Sequence, residues 1–263
     1  GRIEYARSGG KINTDAMDNS AGVDCSDHEV NIKILLDSVV TAGELRTEDR
    51  NPLLASMTDD VAELVLADNI GQNNVLGLER AAAPALLGVH QRLLGALEAE
   101  HGLDRRLDAL PDDAEIARRF TAGEGLTSPE LSQLLAHVKL ALVEELLATD
   151  VPDSDTFASR LPGYFPPALR DRFATAIKAH PLRRQIVATI LANETVDNGG
   201  ISFVYRLTEE TGASSTDAVR AYAAVTAIFG LPAIWDRVRS ERLPTDVEDE
   251  LLLESRRVLD RAS

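Results

Sequence analysis

Along most of the chain, apolar residues recur with the period of an α-helix. From Val23 onward, Val30, Ile34, Val39 and Val40 fall on one side of such a helix, and Leu35 and Leu36 widen the stripe. The spacing predicts an amphipathic helix of about four or five turns. Burying five such side chains is worth about 1.5 to 3 kcal/mol each before conformational entropy is subtracted, so this helix is expected to dock on a neighbour. Runs rich in Leu and Ala follow at 76–100, 131–149, 169–193 and 216–229, and 245–263 reads as a last amphipathic helix. Helix starts are written between them. Asn51 stands before Pro52, Thr58 before Asp59 and Asp60, and the pairs Asp112/Glu115, Thr127/Glu130 and Thr245/Glu248 have capping-box spacing. These signals predict about nine to twelve helices and almost no sheet. Pro84 is expected to kink or restart the first long run, because it removes an amide donor and crowds the preceding turn.

One stretch breaks the helical pattern. Gly9-Gly10 punctuates, Lys11-Ile12-Asn13-Thr14 reads as a short strand, and Asp18-Asn19-Ser20-Ala21-Gly22 has the composition of a loop. Elsewhere a seam is expected at 43–49, with looser breaks at 102–111 and 151–167. The last contains Pro152, Pro162, Pro166 and Pro167, which predicts an extended or turning crossing over the surface.

Composition narrows the function classes. A chain of 263 residues with 44% hydrophobic content can bury a real core. A net charge of -16, from 43 acidic against 27 basic residues, repels phosphate backbones and argues against nucleic acid as a partner. No apolar run approaches the roughly 20 residues of a membrane span, and residues 2–7 lack the order of a signal peptide. The single Cys25 excludes an internal disulfide framework and fits a reducing compartment, so a cytoplasmic protein with no membrane partner is expected. Gly1 is not an initiator methionine and no terminator precedes Ser263, so more chain is expected on both sides.

Polar side chains are densest from Asn13 to Asn31. The small residues Ser20, Ala21 and Gly22 let a ligand approach the backbone, and the helix start after them offers amides and a positive dipole end to a carboxylate or phosphate. The stretch reads as a binding lip, or else as an acid-rich helix start that caps itself. Cys25 and His28, three apart, could suggest a thiol with its base or half of a zinc site. One helical turn rarely gives the required approach, however, and further ligands are not supplied locally, so Cys25 is read as a packed residue. His90, His101, His137 and His180 are read as surface or capping side chains, Gly199-Gly200 as a C-terminal cap, and Trp235 as a core corner.

The string Gly10-Lys11-Ile12-Asn13-Thr14-Asp15-Ala16-Met17-Asp18-Asn19-Ser20-Ala21-Gly22-Val23-Asp24-Cys25-Ser26-Asp27-His28-Glu29-Val30-Asn31 resembles the end of the catalytic region in the large bacterial NAD-dependent glutamate dehydrogenases. So does His180-Pro181-Leu182-Arg183-Arg184-Gln185-Ile186-Val187-Ala188-Thr189, with Asn193-Glu194 and Asp197-Asn198-Gly199-Gly200 after it. The resemblance extends over essentially the whole chain. It implies a mainly α fold, a multi-helix region following the last strand and loop of a nucleotide-binding α/β domain. Residues 1–45 would form the edge of the catalytic domain and 46–263 a helical C-terminal region. The implied reaction is oxidative deamination of L-glutamate to 2-oxoglutarate and ammonium with reduction of NAD, in a homo-oligomer.

In glutamate dehydrogenases generally, an Asn-Ala-Gly-Gly-Val loop followed three residues later by Ser closes over the substrate. Asn19-Ser20-Ala21-Gly22-Val23 and Ser26 match that pattern, with Ser20 and Ala21 as small-for-small departures. By this resemblance Asn19 would face the cofactor, and Val23 and Ser26 the glutamate side chain. No G-x-G-x-x-G occurs, and Gly9-Gly10-Lys11 lacks the setting of the family's lysine segment, so no catalytic residue is assigned in this chain. The upstream part of the same polypeptide would hold them. The contrasting expectation is a non-catalytic helical interaction or regulatory module.

Overall fold

The computed structural model describes residues 1–18 and 22–263, and among them all regular structure is helical. Helices run Arg2–Arg7, Asp15–Asp18, Asp24–Thr41, Thr47–Ser56, Thr58–His101, Asp113–Ala122 and Ser128–Leu147. After a stretch of short turns come Pro167–Arg170, Ala174–Lys178, Arg183–Gly199, Phe203–Thr211, Ser215–Phe229, Leu231–Ser240 and Thr245–Ala262. The mainly α expectation holds; the strand at Lys11–Thr14 does not. A lone strand has no ladder for its amides and carbonyls. Side chains take that role instead: Arg2 Nη1 donates to the Asn13 carbonyl at 2.6 Å, and Asn13 Nδ2 donates to Asn73 Oδ1 at 2.7 Å.

Two compact units share the chain. One comprises Gly1–Thr14, Gln72–Glu145 and Ala192–Ser263, the other Asp15–Gly71 and Leu146–Leu191. No single helix is long and apolar enough to cross a membrane.

In the second unit the Asp24–Thr41 helix buries His28, Ile32, Leu35, Leu36 and Val39, a stripe at i, i+4, i+7, i+8 and i+11. That stripe is rotated from the expected one: Val30 is 51% exposed. The helix packs on Ala174–Lys178 and Thr47–Ser56. The proline-rich stretch is no surface crossing. It folds into the 3-10 turns Val151–Asp153 and Leu161–Tyr164 and the short helix Asp155–Ala158, and it buries Val151, Phe157, Leu161 and Phe165. Pro152 and Pro162 sit in the first positions of those turns, where the missing amide costs nothing.

Two helix starts differ from the sequence signals. Asn51-Pro52 lies inside the Thr47–Ser56 helix, which begins earlier, where Glu48 and Asp49 occupy the first turn. The last helix has Pro244 at its N-cap, with no side-chain cap bond from Thr245. Asp112 does accept from the Glu115 amide, and Glu130 accepts from the Thr127 amide and hydroxyl. The helix Thr58–His101 continues through Pro84 without restarting.

The first unit has a core around Leu78, Phe203, Tyr222, Trp235, Leu252 and Leu259. Trp235 fills the expected core corner and donates its ring N–H to Ser255 Oγ at 2.8 Å. Beside this core lies a buried ionic cluster. Arg256 Nη1 donates to Glu79 Oε1 at 3.1 Å, and the fully buried His90 ring lies 3.6 Å from Glu79 Oε2. The backbone N–H of Ile201 also donates to Glu79. His90 is therefore no surface side chain; a charged partner from its own helix lets it enter the core.

Gly199-Gly200 does more than end a helix. Gly200 has φ +104, and a Cβ there would lie 2.7 Å from Glu79 Oε1 and 3.3 Å from Arg256 Nη1. Arg256 also donates to the carbonyls of Asn198 and Asp197. The glycine pair lets the chain pass directly over the buried ion pair.

Burial alone would raise the Glu79 carboxyl, but His90, the Arg256 charge and the Ile201 amide hold it below its ordinary 4.5. A depressed carboxylate adds stability above its unfolded value, and that stability is lost as pH falls through the folded one. Replacing Arg256→Ala leaves Glu79 buried and uncompensated and is expected to cost ~3–5 kcal/mol in urea unfolding at neutral pH. In Glu79→Gln the fall in stability below pH 4.5 should flatten. Gly200→Ala is expected to destabilise by about 1–3 kcal/mol, read in the same titration, because neither neighbour can retreat.

Candidate functional site

The candidate site is built on the first turns of the Asp24–Thr41 helix. Val23 is its N-cap residue, and no side chain caps the end; Asp24 and Asp27 supply negative charge to the first turn instead. Val23 is 61% exposed and Ser26 is exposed, so both face outward from the helix mouth. Asn19 lies outside the described residues.

The opposite face of the same turns is buried in an aromatic and polar chain. The His28 ring is 2% exposed and stacks on Tyr164 with centroids 4.2 Å apart and planes 21° from parallel. Asn31 Nδ2 donates to the Tyr164 hydroxyl at 2.9 Å, and the Asn31 carbonyl lies 3.1 Å from His180 Nε2. The Leu182 amide donates to His180 Nδ1. Nδ1 is therefore the unprotonated nitrogen, and Nε2–H donates to Asn31. Burial lowers the His180 pKa, only partly countered by the Asn31 carbonyl, so the neutral tautomer persists. His180 does cap its turn, as expected, but from a buried position that also grips the helix at Asn31.

Tyr164 is pushed up to about 12, chiefly by burial; the Asn31 bond acts against this, and the charges of Asp27, Asp24 and Asp68 add to it. The phenol is thus a neutral support for the His28 ring. The arrangement brings together the two stretches singled out in the sequence, since His180 of one holds Asn31 of the other. Sequence reasoning missed Tyr164 and Asp68. The only signal for Tyr164 was an aromatic pair inside a proline-rich stretch, and nothing local marked Asp68.

Cys25, half-buried, does not join the histidine. It lines an apolar groove of about 670 Å³ with Ile32, Met57, Val61 and Val65. Among the described residues, the set able to hold a cation is Asp24, His28 and Asp68, whose ligand atoms all lie within 4.8 Å of one another. The second cluster of polar residues near a glycine pair serves the first unit. Lys139 Nζ contacts Asp197 Oδ1 at 2.7 Å, and Asn198 Nδ2 donates to the Tyr222 hydroxyl at 3.2 Å.

Among the described residues no complete dinucleotide site is present. The described residues contain no strand from which a phosphate-binding turn could lead into a helix, and the sequence has no G-x-G-x-x-G. What the geometry offers is one exposed helix mouth, held rigidly from behind.

Comparison with known proteins gives this mouth a family. Residues 1–79 match the family model "Bacterial NAD-glutamate dehydrogenase, catalytic domain", and residues 123–263 match "Glutamate dehydrogenase, C-terminal". The whole chain aligns with proteins named NAD-specific glutamate dehydrogenase: 58% identical to that of Mycobacterium tuberculosis, 44% to that of Pseudomonas aeruginosa and 42% to that of Halomonas elongata. In each case it spans 16% of the relative's length. With more than half of its residues inside the C-terminal model and its first 79 inside the catalytic one, the chain belongs to the bacterial NAD-dependent glutamate dehydrogenase family.

Proposed function

We propose that this chain is the part of an NAD-dependent glutamate dehydrogenase that forms one lip of the substrate cleft and the helical region that braces it. The complete polypeptide would oxidise L-glutamate to 2-oxoglutarate and ammonium with reduction of NAD, in the cytoplasm and as a homo-oligomer. Asn19 would face the nicotinamide side of the cofactor, and Val23 and Ser26 the glutamate side chain. The lysine and the dinucleotide site would come from the upstream part of the same polypeptide.

One observation carries this reading. Val23 and Ser26 stand exposed on a helix mouth whose reverse face is locked by His28, Tyr164 and His180. Exposed residues on a rigidly backed turn are what a lip requires, because a substrate contact loses value when its support moves. Ser26 would donate its hydroxyl to the substrate carboxylate, and Val23 would pack beside the methylene groups. The helix start adds the positive end of its dipole.

In the complete enzyme, Ser26→Ala is expected to lower kcat/KM for glutamate about 10- to 100-fold, the value of a hydrogen bond to a charged group. Val30→Ala, on an exposed position of the same helix, should leave both constants unchanged. Steady-state kinetics at varied glutamate checks this. Unchanged turnover and Michaelis constant in Ser26→Ala would instead assign the chain to a helical interaction or regulatory module.

A further inference from the structure

His28 is buried among groups that leave it electrostatically unfinished. Neither ring nitrogen has a hydrogen-bond partner, although only 2% of the residue is exposed. Burying such atoms without a partner is unfavourable, because they give up hydrogen bonds to water and gain none. The nearest charged atoms are Asp68 Oδ2 at 3.9 Å and Asp24 Oδ1 at 4.0 Å, both too far for a hydrogen bond to Nε2. Three potential donor atoms therefore converge on one point without touching.

The geometry points to a divalent transition-metal site formed by Asp24, His28 and Asp68. One imidazole and two carboxylates suit Zn²⁺ or Mn²⁺. Ligands bound at about 2.0–2.2 Å from one ion lie roughly 3–3.5 Å apart, so a contraction of about half an ångström brings each carboxylate to ligand distance from the imidazole, within a set whose atoms all lie inside 4.8 Å. Two carboxylates and a neutral imidazole carry a charge that one divalent cation cancels. Burial and stacking on Tyr164 fix the imidazole plane, so the ring is already oriented. Asp24 and Asp68 keep 31% and 40% of their side chains exposed, which leaves an entry path and room for water in the remaining positions.

The two carboxylates come from different helices, Asp24–Thr41 and Thr58–His101. A cation here would clamp the helix start beside Val23 and Ser26 to the second helix. Its role is positioning: Val23 and Ser26, the residues assigned to the lip, are not ligands. The inference is independent of the dehydrogenase reading.

The test uses the complete polypeptide, stripped with chelator, dialysed and titrated calorimetrically with Zn²⁺ and separately with Mn²⁺, with metal content measured after gel filtration. Asp68→Asn keeps the side-chain shape and should lose one equivalent of bound metal per chain relative to the unsubstituted protein. His28→Ala should lose the same equivalent. Metal should raise the thermal midpoint of the unsubstituted protein but not that of Asp68→Asn. Equal stoichiometry and an equal midpoint shift in both proteins overturn the site. Should His28→Ala fail to fold, Asp68→Asn alone decides. Because binding and melting are read without substrate, an inactive Ser26→Ala enzyme and a failed metal titration remain separate results.

Discussion

The hydrogen bond from His180 to the Asn31 carbonyl is the constraint on which the candidate site depends. It joins a short turn after Ala174–Lys178 to the second turn of the Asp24–Thr41 helix, and it does so through a main-chain oxygen already shared with the helical ladder. A neutral imidazole suits this purpose, since it can donate to Asn31 from one nitrogen and accept the Leu182 amide at the other. A protonated ring could not keep the second bond. Tyr164 completes the support by accepting from Asn31 while lying flat on His28. The helix mouth is thereby held from the side opposite Val23 and Ser26.

The first unit uses charge in its interior for a different end. Arg256, from the last helix, reaches Glu79 on the long helix and the carbonyls that close Arg183–Gly199. Three segments distant in sequence meet at one guanidinium. Arg119 does the same on a smaller scale, with two 2.7 Å bonds to Glu130, which in turn caps Thr127. Buried pairs of this kind offset their own desolvation only when every remaining lone pair and proton is engaged. The Ile201 amide on Glu79 Oε1 and the two carbonyls on Arg256 supply most of that engagement, while Glu79 Oε2 has only the His90 ring 3.6 Å away; the close passage of the chain over the pair explains why glycine stands at 200.

Helical periodicity made the fold class readable, and the motif from Asn13 to Asn31 marked the candidate site. Other features were not readable, for physical reasons. The strand at Lys11–Thr14 depended on a pairing partner, which local sequence cannot supply. The stripe on the Asp24–Thr41 helix was misplaced because His28, a polar residue, occupies its first buried position while Val30 stays outside. The burial of His90 and His180, read from the sequence as surface or capping side chains, is not legible because their compensating partners, Glu79 and the Asn31 carbonyl, are brought up only by the folded chain. The prolines of 151–167 predict extended or turn conformation over the surface; the turns are there, but Pro152 and Pro162 at the first positions of 3-10 turns favour a fold that buries Phe157 and Phe165.

The lip also poses an electrostatic problem. Asp24 and Asp27 stabilise a helix start, but under the proposed function a carboxylate approaching the same turn would meet two like charges. Each such charge would oppose the attraction that the positive end of the helix dipole offers a carboxylate. An anionic substrate and an acidic helix start can coexist if the acids are neutralised from behind. A cation held by Asp24, His28 and Asp68 would do so on the buried side of the turn, without occupying the face that Ser26 presents. It would offset the charges of Asp24 and Asp68 and leave Asp27 as the remaining acid of the first turn. The acids that look self-capping in the sequence and the buried histidine that looks unpaired in the structure then become parts of one arrangement.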